Sequence, residues 1–114
     1  MRALLRRDRD EDSTHLRLDD LALDCKSLTA SRAGQSLNLT AREFAVLEYL
    51  LRHQGEVITR TRLSEHVWDE NFDSFSNVID VTVYHLREKV DRGFAGPLIH
   101  TVRGVGYVLR RRKP

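Results

Sequence analysis

Thr101-Val102-Arg103-Gly104-Val105-Gly106-Tyr107 follows a stretch, Asn77 to Val90, that carries the spacing of an amphipathic helix, and these two runs decide the fold. Leu98 to Val102 and Tyr107 to Leu109 are rich in β-branched and aromatic residues and flank Arg103-Gly104-Val105-Gly106, which predicts two strands joined by a tight turn. The two glycines let the backbone turn sharply and leave Arg103 on the tip side of the hairpin. In the helical run, Ile79, Val83, Leu86 and Val90 recur at intervals of four, three and four and form an inward stripe. Asn77 or Ser76 is placed to cap this helix, with Asp80 in its first turn.

The outward face of the same helix holds Val78, Val81, Thr82, His85 and Lys89. A solvated helix face is the plain reading of such a set, and the valines weigh against it. In a DNA major groove a valine touches thymine methyls, a threonine does the same or bonds a base edge, and a histidine donates to a purine N7 or O6. An arginine on a narrow hairpin suits a minor groove, where A·T tracts concentrate negative potential. Taken alone, Arg103 is equally well an exposed residue on an ordinary hairpin.

Upstream, the period changes at Leu39. Thr40 and Glu43 fit a capping box, and Leu39 with Phe44 fits a hydrophobic staple. Phe44, Leu47, Leu50 and Leu51 then lie on one face of a helix that Gly55 can terminate; this helix is core. A shorter helix starts after Thr59 and runs through Leu63 and Val67 to Trp68, where Asp69-Glu70-Asn71 begins a polar loop. Between His15 and Leu39, the pieces Leu16 to Leu18, Leu21 to Leu23, Ser27 to Thr29 and Ser36 to Leu39 are separated by Asp19-Asp20, Asp24 to Lys26 and Arg32 to Gln35, which predicts a small antiparallel sheet.

A chain of 114 residues, 40% hydrophobic and 32% charged, is enough for one small core. The expected division is 1–14 as a charged tail and linker and 15–114 as the folded domain. Net charge is only +2, but from Asn77 onward eight Lys or Arg face three acids, so the C-terminal third is basic. Cys25, the one cysteine, sits in an alternating apolar run and is expected to be a buried structural thiol, which with the absence of a signal peptide or an apolar run of membrane-spanning length predicts a cytoplasmic, non-membrane protein. An enzyme is not expected. His15, His53, His66, His85 and His100 lack the short spacings of a zinc site, and no phosphate-binding glycine loop or nucleophile motif is present, so no metal and no cofactor is assigned.

The run from about His15 to Arg110 resembles the C-terminal DNA-binding domain of OmpR/PhoB-type two-component response regulators. The matching stretches are Leu39 to Phe44 with Leu47, Leu63 to Trp68, Asn77 to Val81 with Leu86, Arg87 and Lys89, and Ile99 to Tyr107. The resemblance implies an α+β winged helix-turn-helix: an N-terminal antiparallel sheet, three helices and a C-terminal hairpin wing, with the third helix in the major groove of a transcriptional control site. By position it implies base contacts from Val81, Thr82 and His85 and a minor-groove contact from Arg103. Trp68, Tyr84, Arg87, Lys89, Thr101 and Tyr107 would contact the DNA backbone and so position the domain without choosing sequence. One departure is that Tyr84-His85 stands where many relatives place arginines, so the two-pronged arginine contact to guanine is replaced by a single imidazole hydrogen bond.

Met1 to Arg7 resembles the last helix of that family's receiver domain, which makes the chain an effector fragment whose phosphoacceptor lies elsewhere. The acidic loop with Asp69, Glu70, Phe72 and Asp73 corresponds to the family's RNA polymerase contact; a connector that packs one phenylalanine inward is an equal reading. The resemblance further implies a homodimer on tandem half-sites about one helical turn apart, driven by the missing receiver, which a cognate membrane histidine kinase phosphorylates. Trp68-Asp69, Phe72-Asp73, Asn77 to Val81 and Ile99 to Leu109 are most similar to the heavy-metal (copper) response branch, which implies metal-response target genes. The alternative is a winged helix that contacts only protein, which would lack salt-sensitive DNA binding.

Overall fold

A computed structural model describes residues 14–68, 77–94 and 96–111, and among these residues there are seven strands and three helices. Four short strands come first: β1 (His15–Leu18), β2 (Leu21–Asp24), β3 (Thr29–Arg32) and β4 (Gln35–Leu37). They pair antiparallel in sequence order, with Leu16 opposite Leu23 and Ala30 opposite Leu37. After them come α1 (Ala41–Arg52), β5 (Ile58–Thr59), α2 (Arg60–Val67), α3 (Val78–Val90), β6 (Ile99–Val102) and β7 (Gly106–Leu109). The last three strands form a second sheet in the order β5-β7-β6.

The helix starts follow their sequence signals in two cases of three. The Thr40 hydroxyl accepts from the Glu43 amide at 3.1 Å, and the Glu43 carboxylate accepts from the Thr40 amide at 2.9 Å, completing the capping box. Thr59 accepts from the Arg62 amide and starts α2 in the same manner. Asn77 occupies the cap position of α3 but makes no side-chain cap bond, because its ψ of 8° is not the extended backbone that aims a capping oxygen at the first-turn amides. Gly55 follows α1 with a φ of +86°, and its amide donates to the Leu109 carbonyl, tying the end of α1 to β7.

Two expectations for the N-terminal sheet are corrected. Ser27 and Leu28 are turn rather than strand, and β3 begins only at Thr29, because the Asp24 carboxylate accepts from the Lys26 amide at 3.0 Å and bends the chain there. Leu28 is left at a φ of +58° and 66% exposed. Arg32, expected in a separator, lies inside β3 and is only 2% exposed. Cys25 is half-buried rather than buried, since it sits just past the end of β2, where its sulfur lies 3.7 Å from an Arg52 guanidinium nitrogen. Burial and the neighbouring Glu48 carboxylate push its thiol above the usual range, which keeps it protonated.

The core lies where the sheet, α1 and α3 meet. Leu21 and Leu23, then Leu47, Leu50 and Leu51, then Ile79, Val83, Leu86 and Val90 are buried together with Leu63, Ile99 and Leu109. The apolar stripes expected on α1 and α3 are thus the faces that close the core. Arg32 reaches across it. Its Nε donates to Asp20, one Nη to the Val90 carbonyl and Asp91, and the other Nη to the Gly96 carbonyl, all within 3.2 Å. One guanidinium therefore satisfies a carbonyl at the end of α3 and joins the first sheet to the connection leading into β6.

Candidate nucleic-acid interface

With its inward stripe consumed by the core, α3 turns its remaining face to solvent. Val81 is 44% exposed, and Val78, Tyr84 and His85 are exposed with it. Apolar groups in that position gain nothing from water, so the face is suited to a complementary surface. The Thr82 hydroxyl donates to the Val78 carbonyl at 2.8 Å, leaving its oxygen able to accept and its methyl available for contact. Tyr84 and His85 meet edge to face at 5.4 Å between ring centres.

The wing is a three-stranded sheet rather than a bare hairpin. Ile58 and Thr59 pair with Tyr107 and Gly106, a strand too short for its alternation to show in sequence. This pairing corrects the role of Gly106. The turn needs only Gly104, at a φ of +75°, whereas Gly106 is the first residue of β7, and a Cβ there would come within 2.0 Å of the Ile58 carbonyl oxygen. Arg103, Gly104 and Val105 form the exposed tip, closed by the Val105 amide donating to the Val102 carbonyl.

Side chains hold the wing against α3. Arg87 donates to the Thr101 hydroxyl at 2.8 Å, and the Tyr107 hydroxyl donates to Asp80. The Asp80 carboxylate also meets the Arg60 guanidinium at 3.1 Å. Burial, reinforced by the bond to Asp80, pushes the Tyr107 phenol up to about 12, so it stays a donor throughout the neutral range. An open cleft of about 350 Å³ between the wing, the start of α2 and the first turn of α3 is lined by Arg60, Asp80, Thr101 and Tyr107 with Thr59 and Val105.

The structure thus brings Val81, Thr82, Tyr84, His85 and Arg87 together on one helix, with Thr101, Arg103 and Tyr107 on the adjoining wing. Two expected contacts sit apart from this cluster. Lys89 is drawn to the start of α1, where its ammonium donates to Glu43 at 2.7 Å. That bond and the Thr40 amide outweigh burial and hold the Glu43 carboxyl below its usual range. Trp68 ends α2, with the Arg42 guanidinium 5.0 Å above its ring. Asp69, Glu70, Phe72 and Asp73 fall outside the described residues. In the sequence Asp80 stands only as a first-turn charge of α3 and Arg60 carries no signal, because their partners lie 27 and 20 residues away, beyond the reach of any local spacing.

Comparison with known proteins agrees with this geometry. A family model described as "Transcriptional regulatory protein, C terminal" matches residues 34–109. The transcriptional regulatory protein PcoR of Escherichia coli is 47% identical over 113 residues, 99% of this chain and 50% of that protein. Among solved structures, the DNA binding domain of CpxR from E. coli aligns with a TM-score of 0.74 at 37% identity, covering 84% of this chain and 95% of that one. The Klebsiella pneumoniae RstA DNA-binding domain, solved in complex with the RstA box, aligns with a TM-score of 0.75 at 26% identity, covering 84% and 96%. The chain spans about half the length of the curated relatives it matches.

Proposed function

Since the chain belongs to the family of transcriptional regulatory proteins in its C-terminal domain, we propose that it controls transcription by laying α3 in the major groove of a duplex half-site and the wing tip in the flanking minor groove. The observation that carries this is the single unit made by the exposed face of α3 and the arginine-bearing tip, joined through Arg87 to Thr101 and Tyr107 to Asp80. Val81, Thr82 and His85 then read base edges, and Arg103 enters the minor groove. Tyr84, Arg87 and Thr101 are placed to meet phosphates: Arg87 spends one of its five donors on Thr101, and the Thr101 hydroxyl accepts that bond and keeps its own proton to donate. Tyr107 and Lys89 can add to backbone contact only through what their bonds to Asp80 and Glu43 leave over.

The wider assignment belongs to the same proposal. Residues 1–14 are a tail from a receiver domain and 15–114 the effector. Two effectors occupy tandem half-sites, and a membrane histidine kinase raises their joint affinity by phosphorylating the receivers, which pairs them without altering the reading helix. Asp69, Glu70, Phe72 and Asp73 contact RNA polymerase, and the controlled genes answer heavy metals. The protein is cytoplasmic; among the described residues no helix is long and apolar enough to cross a membrane.

Selection of duplexes from a random pool by the purified chain, followed by titration of the winners at several salt concentrations, tests the proposal. An enriched half-site that is lost on changing Val81, Thr82 or His85, with affinity falling as salt rises, is expected. Absence of any salt-dependent binding would refute it in favour of a domain that meets only protein.

A further inference from the structure

The two bonds between α3 and the wing start from residues that face each other. Thr101 and Tyr107 are direct partners across β6 and β7. Their counterparts on α3, Arg87 and Asp80, are seven residues apart, about 10 Å along the helix axis at ~1.5 Å per residue. A pair of strands fixed to a helix at two points so separated can neither slide along it nor pivot on it. Asp80 also holds Arg60 at the start of α2, directly after β5, so one carboxylate joins α2, α3 and β7, the central strand of the wing. Besides these bonds the base of the wing is held by the pairing of Thr59 with Gly106, and beyond it Arg103, Gly104 and Val105 are exposed.

We propose that Asp80 is a positioning residue which, with Tyr107 and the Arg87–Thr101 bond, fixes the distance between the wing tip and the reading helix, so that minor-groove and major-groove contacts are made as one unit. This rests on the DNA-reading proposal. Asp80 selects no base itself; it sets how far from the bases read by Val81, Thr82 and His85 the minor-groove contact must fall. Arg103 lies two residues beyond Thr101, about 7 Å along the strand, so release of the clasp frees the tip to sample more than one groove position. The contribution of Arg103 to binding then depends on Asp80 and Tyr107, neither of which belongs to the exposed tip.

Residues with independent roles add in a double-mutant cycle, and residues that act through one arrangement do not. In wild-type protein Arg103→Ala is expected to weaken binding to the selected half-site by about tenfold or more. In a Tyr107→Phe background, which keeps the ring and removes only the hydroxyl, the same change should cost less than about threefold. Asp80→Ala should behave like Tyr107→Phe, and Asp80→Asn, whose amide oxygen still accepts from the phenol, should restore the coupling. Additive effects throughout would overturn the proposal. A second measurement needs no DNA: residual dipolar couplings of the free protein should report one common alignment for α3 and the wing in wild type and reduced couplings at the tip in Tyr107→Phe, or in Asp80→Ala if the tyrosine variant does not fold. Unchanged tip couplings would refute the clasp whatever the DNA result. If the wild-type chain selects no sequence, the DNA-reading proposal fails and the couplings alone decide whether the clasp exists.

Discussion

Replacing Arg32 should destabilise this protein more than any surface substitution on the reading face. The guanidinium is almost wholly buried and makes four hydrogen bonds, to Asp20, Asp91 and the carbonyls of Val90 and Gly96. Arg32→Met keeps much of the packing beside the Phe94 ring, which lies 5.3 Å from the guanidinium carbon, but removes every donor. Asp91 would retain the Leu98 and Ile99 amides, whereas the bonds the guanidinium gives the two carbonyls would be lost. Breaking a buried ion pair from one side costs about 3–5 kcal/mol. Asp20, one-third exposed, recovers part of its loss through water, which favours the lower half of that range. At roughly 4–8 °C per kcal/mol for a domain of this size, the midpoint of thermal unfolding should fall by on the order of 15–25 °C. Arg32→Lys should recover less than half of this, since one ammonium cannot span acceptors that the planar fork reaches on both sides. Calorimetry or denaturant unfolding at neutral pH measures the effect. A loss below about 1 kcal/mol for Arg32→Met would refute the argument that this residue joins the first sheet to the end of α3.

Gly106→Ala should disrupt the wing by several kcal/mol, because its Cβ would meet the Ile58 carbonyl at 2.0 Å, while Gly104→Ala, in open space at a φ of +75°, should cost only about 1–2 kcal/mol; denaturant titration of the two variants decides. For Tyr107 the folded pKa of about 12 lies above the ordinary value of 10.0, so the neutral phenol is favoured by folding, its stabilisation is complete below pH 10, and it is lost as pH rises toward 12. Two units amount to roughly 2–3 kcal/mol, and unfolding curves between about pH 8 and 11 should therefore fall more steeply for wild type than for Tyr107→Phe; parallel curves would contradict the assignment. His85→Arg should raise affinity and change base preference at one half-site position, because an exposed arginine offers guanine two bonds where imidazole offers one. Identical selection profiles for the two proteins would count against that contact.

Capping and periodicity made three helices and their buried faces legible in the sequence. Thr40 with Glu43, and the stripe Ile79, Val83, Leu86 and Val90, are local patterns with local causes, and they survive intact in the fold. The outward set on α3 could be named for the same reason, since whatever the core does not take must face away. Composition showed that the C-terminal third is basic, and the order of motifs gave the family. Tertiary structure decided what depends on distant partners. Arg32 looked like a turn residue until acceptors 58 to 64 positions away closed around it. Gly106 looked like a second turn glycine until the Ile58 carbonyl was seen where a side chain would stand. Asp80 looked like a helix-start charge, and Tyr107 and Lys89 like groups reserved for DNA, until they were found bonded within the protein. The sequence by itself determined which faces are apolar, because burial follows a period that the chain writes along its own length. Only the assembled fold determined which polar groups satisfy one another, because a hydrogen bond depends on a few ångströms of separation that no spacing along the chain specifies.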